Sequence, residues 1–227
     1  MIGGRLVAAA LLSLGASSGQ GGIDPAGASA TVWPLDDLKV IGGHPVTVVG
    51  SPRLANAGET AAVEFNGSTD GLFLDVNPLA GLERFTIEVI FLPAADGPEE
   101  QRFLHIEEAG SANRALIELR RLPDGSWCLD TYLRHGDEGL TLIDRGATHP
   151  SGRWYAAALT YDGKTMAHYV NGVREMTGDV RFGPLGAGRT SIGVRQNLVS
   201  WFKGQIRLVR ITPDALPPAR LLAAPAR

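Results

Sequence analysis

The chain has a single cysteine, Cys128, among 227 residues, so no disulfide forms within it. A small scaffold stapled by disulfide bridges is excluded, and no Cys/His cluster has the spacing of a zinc site. Positive charge is not in excess: 21 Lys and Arg stand against 24 Asp and Glu, for a net charge of -3. Nothing is therefore available to neutralise a phosphate backbone, and nucleic acid is not an expected partner. No apolar run approaches the roughly 18 residues of a membrane span. From residue 31 onward, where the histidines at 44, 105, 135, 149 and 168 lie, there is no G-x-S-x-G elbow, so no Ser-His-Asp triad can be argued. A long helical period is missing as well. Apolar residues, at 44%, are plentiful enough for one sizeable core.

The first residues read "MIGGRLVAAALLSLGASSGQGG". Arg5 precedes an apolar run from Leu6 to about Ala16, and small residues follow. This is the layout of a secretory signal peptide over 1–18, with cleavage after Ser18 or as late as residue 30, at "ASA". A flexible linker is expected over 19–30, one domain over 31–215 and a tail over 216–227, with the product secreted or periplasmic. No cysteine ends the apolar run, so a lipid anchor is not expected.

From residue 31 onward, short runs of alternating apolar residues are separated by turn formers. The pattern predicts strands at 61–65, 72–76, 85–92, 102–107, 115–121, 126–134, 140–144, 155–161, 166–170, 190–194 and 205–211. Turn signals every 8–12 residues or so imply an all-β sandwich or barrel. In "WYAAALTYDGKTMAHYVNGV" (154–173), Asp162-Gly163 and Asn171-Gly172 reverse the chain, and His168 alternates with Met166 and Val170 against the sheet. The closing "PDALPPARLLAAPAR" has room for one short helix between its prolines.

Four segments carry a family resemblance: "WPLDD" at 33–37, "AVEFNGSTDGLFLD" at 62–75, "FTIEVIFLP" at 85–93 and "SIGVRQNLVSWFKGQIRLVRITPDAL" at 191–216. Together with "WYAAALTYDG" and "YVNGV", and in this order, they resemble the laminin-G-like and pentraxin-like jelly rolls of the concanavalin A-like superfamily. The resemblance implies two antiparallel sheets packed face to face, one of them concave. It also implies calcium as a possible cofactor, for which the loop "FNGSTDG" offers Asn66, Ser68 and Asp70 as hard oxygen ligands.

Alternation sorts the middle strands by face. Leu104, Ile106, Ala115, Ile117, Leu119, Trp127, Leu129 and Leu133 point inward. If the strands are neighbours, His105, Glu107, Arg114, Glu118, Arg120, Asp130, Tyr132 and Arg134 share the outward face. Carboxylates accept sugar hydroxyls, guanidinium forks carboxylates and a ring stacks on a pyranose, so a sugar or uronate site fits. Cross-strand ion pairing that merely decorates a sheet fits as well.

The E-x-D-x-E strand of retaining glucanases on this scaffold is missing, and Glu107 and Glu108 are adjacent, so they point to opposite faces. "RALIELR" is only a loose echo of the R-x-E-L strand of alginate lyases, whose companion motifs are not present. Three readings stay open. One is a secreted non-catalytic domain binding a glycan or an extracellular protein. The second is a carbohydrate-active enzyme, and the third an envelope or matrix component with no small ligand.

Overall fold

The structure is a computed structural model that describes residue 1, residues 29–57 and residues 60–225. The leader and most of the linker expected from the sequence lie outside the described residues. Among those described, sixteen strands are numbered in chain order. One sheet runs β14 (Val173–Asp179), β13 (Thr165–Val170), β12 (Tyr155–Tyr161), β7 (Phe85–Pro93), β16 (Lys203–Thr212), β5 (Thr60–Asn66), β4 (Arg53–Ala57), with β1 (Thr31–Pro34) also paired to β16. The second runs β11 (Glu138–Ile143), β10 (Trp127–His135), β9 (Arg114–Arg121), β8 (Glu100–Glu108), β15 (Gly188–Ile192), β6 (Gly71–Leu74), β3 (His44–Val49), β2 (Val40–Ile41). The pairing between these strands is antiparallel, as in the expected jelly-roll sandwich.

The two layers meet through aromatic rings. Phe91 of β7 stacks on Phe103 of β8 with ring centroids 4.4 Å apart, and Trp127 and Tyr155 close around them edge to face at 4.9 Å. Each such side chain, fully buried, stabilises the fold by roughly 1.5–3 kcal/mol. His168 also points inward, as alternation predicts. It is wholly buried, and its Nδ1 lies 3.0 Å from Thr131 Oγ1, joining the sheets through a polar contact in the core.

Turn chemistry acts where the sequence places it. Asn171 and Gly172 have φ of 51° and 77°, the left-handed pair that a two-residue hairpin demands. Asp162 Oδ1 accepts the N–H groups of Lys164 and Thr165. The strands the pattern did not mark are β1, which pairs off the main path of the first sheet, and β2, β3, β4 and most of β14, which lie at or beside sheet edges, where largely exposed side chains break the inward alternation. The short helix of the tail is one 3-10 turn, Pro218–Arg220.

Candidate functional site

Strands β8, β9 and β10 are direct neighbours, so the eight residues singled out by alternation do share the outer face of the second sheet. The register orders them in rows. Glu118 lies opposite Asp130, Leu116 lies between His105 and Tyr132, and Arg114 lies between Glu107 and Arg134. A bulge between Arg102 and Leu104 adds a residue to β8. Phe103 and Leu104 both enter the core, and Arg102 is turned outward opposite Glu118. Strict alternation from Leu104 would send Arg102 inward, which is why the sequence pattern missed it.

Arg102 and Arg120 hold three carboxylates at the centre of the face. Arg102 Nε is 2.5 Å from Glu118 Oε2, without the alignment of a hydrogen bond, and its Nη1 donates to Glu100 Oε2 at 2.8 Å. Arg120 donates through Nε to Asp130 Oδ2 at 2.7 Å, and its Nη1 lies 2.7 Å from Glu100 Oε1. Three carboxylates on two guanidiniums leave one negative charge in excess. Burial, reinforced by Asp130, pushes the Glu118 carboxyl up to about 7, and Asp130 is raised by its own burial. Asp130 Oδ1 is buried with no hydrogen-bond partner.

The other end of the face is built by a loop that gives no periodic signal. Between β15 and β16 the chain passes Gly193, Leu198 and Ser200 with φ of 81°, 59° and 57°. Left-handed backbone at a non-glycine residue costs of order 1 kcal/mol or more and persists only where the surroundings enforce it. The loop is anchored where Arg102 N donates to Ser200 O at 2.9 Å and Arg102 Nη1 donates to Ser200 Oγ. It covers His105, whose side chain is 1% exposed, and sets Arg195, Gln196 and Asn197 over the groove.

The Gln196 N–H donates to His105 Nδ1 at 3.1 Å, so the ring proton belongs on Nε2. Burial, with Arg195, Arg114 and Arg102 nearby, holds the His105 pKa down to about 3, and the ring is neutral at physiological pH. Its Nε2 is 2.9 Å from Glu107 Oε2 but is not aligned to donate to it.

His105, Glu107, Arg114 and the loop residues Arg195 to Asn197 line a depression of about 360 Å³. A smaller one of about 180 Å³, over Glu118, Asp130, Tyr132 and Thr141, shares Arg114 and Arg195 with it. The two make one groove along the face. Tyr132 does not offer a bare ring to a sugar, because the Arg114 guanidinium lies 5.0 Å from its centroid. Arg134 lies opposite Arg114 but lines neither depression, and its Nε donates to Gly136 O.

Asn66 and Asp70 come together in the hairpin between β5 and β6. Asp70 accepts the N–H groups of Ser51 and Asn66, and Asn66 Oδ1 accepts those of Ser68 and Thr69. These oxygens close the loop, and a calcium ion there would have to displace their donors. Among the described residues no group of three His, Cys, Asp or Glu side chains could hold a metal ion. Cys128 is buried, and burial pushes its thiol pKa up. His149 packs on Trp127 with its Nε2 2.6 Å from Glu175 Oε1.

Residues 66–221 match the family model of the concanavalin A-like lectin/glucanases superfamily. A comparison with curated proteins finds no match. Among solved structures, domain 4 of an extracellular arabinanase from Geobacillus stearothermophilus, in complex with arabinotriose, is similar at TM-score 0.62 and 22% identity, covering 84% of this chain and 94% of that one. The CBM40 of a Ruminococcus gnavus sialidase, bound to sialyllactose, is similar at TM-score 0.58 and 20% identity, covering 70% and 94%. The receptor-binding domain of botulinum neurotoxin D is similar at TM-score 0.63 and 15% identity. The match covers 84% of this chain and 50% of the toxin domain, so the chain spans about half of it.

Proposed function

This chain belongs to the concanavalin A-like lectin/glucanases superfamily, and from that premise we propose that it is an exported glycan-binding domain whose ligand lies in the groove over β8, β9 and β10. One observation carries the reading. The groove holds buried donors and acceptors, among them His105 Nε2, Arg114 Nε and Asp130 Oδ1, that no protein atom satisfies. Each buried polar group left unpaired costs about 1–3 kcal/mol, and a sugar, whose hydroxyls donate and accept at once, supplies the missing partners. The arabinotriose and sialyllactose bound by similar folds support the choice of a glycan.

The test is a glycan array, run with and without calcium, on the chain lacking residues 1–30. Selective binding lost in Asp130→Asn and in Arg195→Ala, the second with unchanged melting temperature, is the expected result. A blank array would leave a protein ligand or a purely structural role. Export is tested by the N-terminal sequence of the mature protein, expected to begin between residues 19 and 31.

A second reading, a carbohydrate-active enzyme, is favoured by the carboxyl of Glu118, which at about 7 keeps a proton to donate, opposite Asp130. It requires release of reducing ends or unsaturated sugars that stops in Glu118→Gln.

A further inference from the structure

We infer that the His105 end of the groove seats a carboxylate, so that the ligand is an acidic glycan, a uronate or a sialate. The inference deepens the glycan reading and rests on it.

The argument starts from charge. Across the sheet the row at this end runs Arg189, Glu107, Arg114, Arg134, each directly opposite the next. Arg189 turns away, its Nε donating to Asp75 Oδ1 at 2.8 Å while its guanidinium lies over Phe73. Arg114 and Arg134 are left side by side, and like charges directly opposite on neighbouring strands destabilise a sheet. The loop adds Arg195, which makes no ion pair among the described residues, to the same depression. Glu107 is the one carboxylate among them, so this end carries a positive excess.

Arg114 donates one N–H to Ala112 O and Arg134 one to Gly136 O, but two donors at this end lack acceptors. Arg114 Nε and His105 Nε2 are both buried without a hydrogen-bond partner. With its proton on Nε2, the neutral His105 ring adds a donor to the wall of the depression, beside Glu107 and Arg114. A hydroxyl could satisfy one of these donors but carries no charge. A carboxylate brings acceptor oxygens only, pairs bidentately with guanidinium and neutralises the Arg114–Arg134 repulsion. The groove is therefore polar along its length: the acid group belongs at His105, and the hydroxyls of the adjoining ring donate to Asp130 Oδ1.

Calorimetric titration of the chain with trigalacturonate, its carboxyl-reduced counterpart and sialyllactose tests this. At least tenfold tighter binding of one of the acids than of the reduced sugar is expected. Arg195→Ala should remove most of that preference, and Arg195→Lys should restore part of it, both with unchanged melting temperature. Equal affinity for trigalacturonate and its reduced form, with sialyllactose no tighter, overturns the carboxylate seat and leaves the glycan reading intact. Polyglutamate binding as tightly as the acidic sugars also overturns it. Failure of every glycan to bind overturns both.

Discussion

His168 and Glu118 are buried ionisable groups that pull the pH dependence of stability in opposite directions. Burial lowers the His168 pKa from an ordinary 6.5 to about 4. The unfolded chain therefore takes up a proton below 6.5 that the folded chain refuses. The stabilisation from keeping the ring neutral is complete above 6.5 and is lost as pH falls toward 4. Glu118 is the reverse case. Its carboxyl is raised from 4.5 to about 7, so between those values the folded chain holds the extra proton and stability falls as pH rises. Each effect is at most on the order of 3 kcal/mol. In His168→Gln the melting temperature should lose less on acidification from pH 6.5 to 4 than in the parent chain. Glu118→Gln, which cannot ionise, should lose the decline between pH 5 and 8 that the carboxylate imposes. Parallel melting-temperature profiles for parent and variant would contradict either assignment.

At the scale of the element, the groove is made by two local departures from regularity, the β8 bulge and the left-handed loop 193–202. This is where the sequence stops being readable. Period-two alternation places His105, Glu118 and Tyr132 correctly because β9 and β10 are regular and β8 is regular beyond its bulge. It cannot place Arg102, since one inserted residue reverses the face of everything before it. Arg195, Gln196 and Asn197 lie in a loop, where no periodic pattern can point to them. The two departures are linked, because Ser200 accepts from the backbone of Arg102 beside the bulge.

The left-handed φ of Leu198, a half-exposed side chain, gives a test at this scale. Leu198→Gly removes the steric cost of that backbone but loosens the loop, so stability should change by no more than about 1 kcal/mol in either direction. Glycan affinity should fall several-fold, because the loop must then be ordered on binding. Titration and thermal melting together read both effects. Affinity equal to the parent would show that the rigidity of the loop is not used.

Over the whole molecule, the two outer faces are treated differently. The order of motifs made the sandwich legible, because turn residues and core alternation recur along most of the chain. The covering of the first sheet was not legible, because a short proline-interrupted tail has no period of its own. Glu88 of β7 is fully buried on that sheet, with one oxygen facing Arg210 Nε and the other accepting the Leu222 N–H at 2.6 Å. Thr86 Oγ1 accepts from Leu216 N, and Leu221 packs on Ala158, Ala167 and Tyr169. Ending the chain at residue 215 strips the Leu222 donor from a buried carboxylate, at about 1–3 kcal/mol, and removes the buried Leu216, at roughly 1.5–3 kcal/mol. A loss of a few kcal/mol in denaturant unfolding is expected. The groove lies on the opposite layer, beyond a close-packed core, so at temperatures where the shortened chain stays folded its glycan affinity should match the parent within about twofold. A larger loss of affinity would mean that the strapped face and the groove are coupled through the core.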